Sequence, residues 1–293
     1  MSLAFLGLIS SCLVAQVSTP TPTPNPTSAP SPIDPPIPLL AQPAYDLAAE
    51  VRGPLDPYVP QPGDIFLATD RAYWSRVGHL LCGGKGVHHS GIVFARPDGT
   101  MAVIEAGPFN STLIEVMDPY EHMANHIGAG DKVWIRRRRV PLTPAESAAL
   151  TAFLTEQHGK RFATWRMLAQ VTPLRCRGRF RTRWLGKPHG DRESYYCAEL
   201  VVESLAAVGL VDPETARPSA MYPRDLFFGR SSNPFINEHL DLEPGWYPPA
   251  RWFPSVQCVP PTAIQNVANA EPTSAPAPAP TVAAQPAQPV LRR

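Results

Sequence analysis

The hydrophobic and polar pattern changes period between Arg138 and Thr143. Before that point, apolar positions alternate in short runs. Asp64 to Thr69 carries Ile65, Phe66 and Leu67 behind the Pro62-Gly63 punctuation, and His89 to Ala95 alternates with period two. Arg96-Pro97-Asp98-Gly99-Thr100 then supplies turn chemistry, with proline presetting one torsion and glycine accepting a positive φ. Met101 to Ala106 reads as the returning strand of a hairpin, and Thr112 to Val116 and Lys132 to Arg138 as two further strands. A small antiparallel sheet is therefore predicted for the first half.

The second half changes period. Thr143-Pro144-Ala145-Glu146 is a capping box with proline at the first helical position, followed by Leu150, Phe153 and Leu154 at helical spacing. Phe162 to Val171 is a second helical segment, and Arg175 to Arg192 is predicted as a basic, glycine-containing loop. From Cys197, apolar residues at Leu200, Val201, Leu205 and Val208 define a helical face that stops at Gly209, with Ser194 as the expected N-cap.

Composition sets the boundaries. Proline is 37 of 293 residues and gathers at both ends, as a Thr/Pro/Ser tract from Thr19 to Pro43 and an Ala/Pro tract from Glu271 to Pro289. Such tracts bury too little apolar surface to offset backbone ordering. The expected organisation is a signal segment over 1–12, a linker over 13–43, one folded domain over 44–261 and a tail over 262–293. Leu3 to Ile9 is apolar and Ile9-Ser10-Ser11-Cys12 follows, the pattern of a bacterial lipobox. Acyl chains on Cys12 would tether the protein peripherally to a membrane in the cell envelope.

Net charge is +1, which advertises no partner, but Lys132 to Glu193 holds fifteen Lys/Arg and four Asp/Glu. That local excess suits anionic lipid or glycan, with Arg177 and Arg179 as candidate contacts; no nucleic-acid module accompanies it. An exported compartment permits a disulfide among Cys82, Cys176 and Cys258.

Candidate chemistry centres on Cys197. A thiol in the first turn of a helix faces unpaired N–H groups and the positive end of the dipole, both of which favour thiolate. His89, sharing a strand face with Gly91 and Val93, is the candidate base, and Gly91 leaves room for another group to approach. Glu105 is a lone acid in an apolar strand across the hairpin, placed to orient the imidazole. His122 and His126 lie four apart, which on a helix puts them on one face, but no acidic or third ligand accompanies them as a motif. The pair reads as incidental, and neither a metal nor an organic cofactor is expected.

Gly63-Asp64-Ile65-Phe66, His89-Ser90-Gly91-Ile92-Val93, Val103-Ile104-Glu105-Ala106 and Tyr196-Cys197-Ala198-Glu199-Leu200-Val201, with Tyr222-Pro223-Arg224-Asp225-Leu226 behind them, resemble the YiiX/YaeF-like permuted branch of the NlpC/P60 papain-like superfamily. Lecithin:retinol acyltransferase-like enzymes are relatives of that branch. The resemblance implies a permuted papain-like α+β fold and a Cys197–His89–Glu105 triad, with Tyr196 and Asp64 near substrate. It also implies amide or ester substrates from cell-wall peptides or lipids, leaving hydrolysis and transfer both open. A non-catalytic lipid- or glycan-binding module of the same fold is the rival from another class.

Overall fold

The computed structural model describes residues 37–41, 54–71, 76–77, 80, 86–170, 172–231, 237 and 240–254. Cys12, Cys82, Cys258 and the proposed tail lie outside the described residues.

Among the described residues, ten strands and six α-helices follow one another. The strands of the main sheet are β1 (Leu39–Ala41), β2 (Leu55–Pro57), β3 (Ile65–Ala68), β4 (His89–Ala95), β5 (Met101–Ala106), β6 (Ile114–Met117), β7 (Val133–Arg136) and β10 (Ala250–Phe253). They lie in the order β2-β1-β10-β7-β3-β4-β5-β6, and every pairing is antiparallel. Two short strands, β8 (Arg161–Phe162) and β9 (Ser194–Tyr195), pair in parallel apart from it. The sheet is wider than the predicted one and begins at Leu39, inside the stretch expected to be linker.

The β4–β5 hairpin closes as its sequence dictates. Arg96 N–H donates to the Thr100 carbonyl, the Asp98 carboxylate accepts from Thr100 N–H, and Gly99 takes φ +85°. Gly91 then sits opposite Glu105, and Val93 opposite Val103.

Because side chains alternate across a sheet, this register sorts the core into two layers. Ile65, Leu67, Ile92, Phe94, Ile104 and Trp134 point to one face. There they meet α2 (Pro144–Gln157), begun by the predicted Thr143/Glu146 capping box, and α5 (Cys197–Ala207). Phe66, Val103, Val133 and Ile135 point to the other face. It is covered by α1 (Pro119–Gly128), whose first turn is capped by Asp118 and which buries Met123. The predicted basic loop contains a helix, α4 (Arg179–Leu185), after the short α3 (Thr164–Ala169); α6 (Pro223–Phe228) follows α5.

Candidate functional site

His89 opens β4 and Glu105 is the last residue but one of β5, both on the face covered by α1. Glu105 is fully buried, an expensive place for a carboxylate without partners. It has them. His89 Nδ1 stands 2.7 Å from Glu105 Oε1, and His122 Nε2 2.9 Å from Glu105 Oε2. Burial opposes ionisation of Glu105, but the facing His89 and His122 outweigh it and hold the carboxyl well below the usual carboxylate range. Burial likewise works against the His89 imidazolium; Glu105 and Asp70 overcome it and hold the imidazole well above its ordinary value.

Asp70 was not foreseen, since nothing in its local sequence separates it from an ordinary loop acid. Its Oδ2 lies 3.3 Å from His89 Nε2, so both ring nitrogens face carboxylates.

Cys197 is the first residue of α5, buried under the opposite face of the sheet. The N-cap is Tyr196; the expected cap, Ser194, lies in β9. The thiol donates to the main-chain carbonyl of His88 at 3.7 Å, and the Ser90 hydroxyl lies close to it. Burial raises the thiol above its ordinary range; the positive charge of His89, the Ser90 hydroxyl and the Ala198 N–H pull against that and lose. Desolvation therefore works against the resting thiolate that the helix-start position favours. Cys197 and His89 are brought within electrostatic reach of each other, with the imidazole turned towards its carboxylates.

Three of the proposed substrate contacts are built into the framework. Asp64 is fully buried and accepts from Arg138 N–H at 2.8 Å, Tyr58 Oη at 3.1 Å and Gln61 N–H at 3.3 Å, tying the start of β3 to the chain leaving β7. Tyr196 is buried with its hydroxyl on the Pro218 carbonyl. Arg177 pairs with Asp225 at 2.5 Å and donates to the Ala220 carbonyl and the Ser231 hydroxyl. Arg179, the first residue of α4, is exposed. Cys176 and Cys197 are free thiols.

The incidental histidine pair is not incidental. α1 docks on β5 so that His122 and His126 both reach Glu105, and one ligand-capable atom from each of the three lies within 4.8 Å of the others. The missing acid came from a strand distant in sequence. A cleft of about 560 Å³, lined by Thr112, Leu113, Arg161, Trp165, Arg166 and Ser194 among others, lies beside the segment leading to Cys197.

Fold and site together describe a mixed α+β protein with an antiparallel sheet, a buried histidine–carboxylate group on one face and a helix-start cysteine under the other. No family model matches the sequence, and no curated protein matches it. Among solved structures the chain is distantly similar to one described as metalloprotein YiiX from Escherichia coli O157:H7, DUF1105. The TM-score is 0.36 and the identity 16%, over 69% of this chain and 92% of that one.

Proposed function

We propose that the protein is a thiol-dependent hydrolase or acyltransferase acting on an amide or ester, with Cys197 as nucleophile, His89 as base and Glu105 as the group that orients His89. The observation that supports this reading best is the buried His89–Glu105 contact of 2.7 Å, at the strand end beside which Cys197 begins its helix. The sequence resemblance to permuted papain-like enzymes points the same way.

In this scheme substrate binding turns His89 Nε2 from Asp70 to the thiol. As it turns, the ring leaves its Nε2 proton on the Asp70 carboxylate, and the neutral imidazole so formed takes the Cys197 Sγ–H proton as sulfur bonds to the substrate carbonyl carbon. The oxyanion is held by main-chain N–H groups at the start of α5. Collapse of the tetrahedral species breaks the amide or ester bond, and the imidazolium donates its proton to the departing amine or alcohol. Water or an acceptor amine then releases the acyl group from sulfur.

The partner proposed is a lipid or cell-wall peptide in the cell envelope, with Cys12 as lipid anchor. Trp165, Phe180 and Trp184 are among the most exposed large apolar side chains, and Arg179 and Arg183 are exposed beside the latter two on α4. Aromatic and basic side chains so mixed suit an anionic lipid surface. No helix among the described residues is long and apolar enough to cross a membrane.

The test is kcat/KM on a panel of p-nitrophenyl esters, lipids and muropeptides for wild type, Cys197→Ala and His89→Ala. Both variants should lose turnover, the cysteine variant completely. A Cys197→Ala protein that turns over at the wild-type rate would favour metal-assisted or other chemistry, and folded wild type inert to the whole panel would favour a binding module.

A further inference from the structure

We propose that Glu105, His122 and His126 form a binding site for a divalent first-row transition metal ion of the zinc class. The inference goes beyond the thiol reading and does not depend on it.

The argument begins with one nitrogen. His126 is almost fully buried, and its Nδ1 faces Asp131 Oδ2 at 3.1 Å. A carboxylate on Nδ1 fixes the ring proton there and leaves Nε2 as a lone pair. That Nε2 has no hydrogen-bond partner among the described residues and looks at Glu105 Oε2 across 4.0 Å. Two electron-rich atoms thus face each other in a buried site at a separation too long for a hydrogen bond. His122 Nε2 completes the triangle, 2.9 Å from the same oxygen. A proton shared along the short side leaves His126 unsatisfied. A cation bonded to all three satisfies the three facing atoms, His126 Nε2 included.

The geometry is close to what such an ion needs. Metal–ligand distances of about 2.0–2.2 Å imply ligand–ligand separations of about 3.4 Å in a tetrahedral site. The observed 2.9 and 4.0 Å bracket that value, and all three ligand atoms lie within 4.8 Å of one another, so the group closes on an ion with shifts of up to about 1.4 Å. Two imidazole nitrogens and one carboxylate oxygen select against calcium and magnesium, which take oxygen ligands. The support is also of the right kind. His122 and His126 stand one turn apart on α1, Glu105 on β5 between two paired strands, and Asp131 holds His126 from behind as outer carboxylates do in zinc sites.

Phe109 covers the group. Its ring lies 4.4 Å from that of His126 and 5.4 Å from that of His122, while the residue is half exposed at φ 44°, ψ 44°. A bulky residue in the left-handed region is uncommon and strained. It is therefore the element placed to give way when the site fills. Glu105 Oε1 stays with His89 throughout, and Cys197 contributes no ligand.

The experiment uses the full chain, stripped with a chelator and titrated with Zn²⁺ by calorimetry and with Co²⁺ by visible absorption. One ion per chain is expected, with the d–d bands of a nitrogen/oxygen site and no thiolate charge-transfer band. His126→Gln and His122→Gln should each weaken binding at least 100-fold, and Asp131→Asn, kept in case either fails to fold, about 10–100-fold. Cys197→Ala and the exposed His189→Gln should bind as wild type does. Absence of stoichiometric binding, binding indifferent to all three site substitutions, or a sulfur-to-cobalt band would overturn the proposal. Metal binding is read without turnover, so its failure is separate from failure of the thiol mechanism.

Discussion

Gly91→Ala tests whether the β4–β5 register positions the site. A Cβ on Gly91 would lie 2.6 Å from the Ile104 carbonyl oxygen, 3.3 Å from Val103 Cγ2 and 3.5 Å from Glu105 Cβ. The first contact is with backbone, held by the ladder in which Ile92 pairs with Ile104, so no side-chain rotation relieves it. Reaching ordinary contact near 3.4 Å requires the strands to part by roughly 0.8 Å. Overpacking of this kind costs about 1–3 kcal/mol. At about 2–4 °C per kcal/mol for a domain of this size, Tm should fall by about 2–12 °C. The displaced group is the peptide joining Ile104 to Glu105, so the 2.7 Å contact of Glu105 with His89 loosens with it. Val93→Ala, on the same strand and face, serves as the comparison: it empties core volume without touching the Gly91–Glu105 pair. Thermal melts and kcat/KM on both variants, at a temperature where both are folded, separate stability from positioning. Gly91→Ala should lose more activity than its stability loss explains. A melting point within about 2 °C of wild type together with unchanged turnover would refute the reasoning.

Burial raises Asp64 to about 7, against the pull of its three donors. Between about pH 4 and 7 the folded state then keeps a proton that the unfolded state has lost, so this group's contribution to stability falls as pH rises. Denaturant titrations should show wild type losing stability relative to Asp64→Asn across that window; a difference independent of pH contradicts it. Alkylation of Cys197 by iodoacetamide should be slow at neutral pH and still rising above pH 9, its ordinary thiol value, because burial opposes the thiolate; a plateau reached below pH 8 would contradict this. Asp70→Asn weakens the hold on His89 Nε2 at 3.3 Å. Freeing the ring to meet the thiol should raise the alkylation rate about tenfold, the effect of one hydrogen bond of about 1.4 kcal/mol; an unchanged or lower rate would assign Asp70 a different role.

Local chemistry was legible where a residue's neighbours in sequence are also its neighbours in space. The Arg96–Thr100 turn, the Thr143/Glu146 box and the helix ending at Gly209 all answer to short-range rules. Placing His89 and Glu105 together needed one further step, alternation across a hairpin, and that step was available. The outer sheet was not. β1 and β2 are three residues long and too short to show a period, and β10 pairs with β1 and β7 from the far end of the described chain. The partners of Asp64 and Arg177, both expected near substrate, were hidden for a related reason. A charged residue gains a structural tie when distant groups such as Arg138 N–H and Asp225 reach it. His122 and His126 carried a usable signal in their spacing around the buried Met123, but their acid partner belongs to β5, whose face is fixed only once α1 docks on it.

The central claim is that an acyl group passes through the sulfur of Cys197. Intact-protein and peptide mass spectrometry after brief exposure to p-nitrophenyl esters of short and long acyl chains reads this directly. A single acyl increment should appear on the peptide containing Cys197, form more slowly in His89→Ala, and be absent from Cys197→Ala. Ester turnover with no adduct at Cys197 in acid-quenched samples, or an adduct of equal yield in the Cys197→Ala protein, would contradict the account.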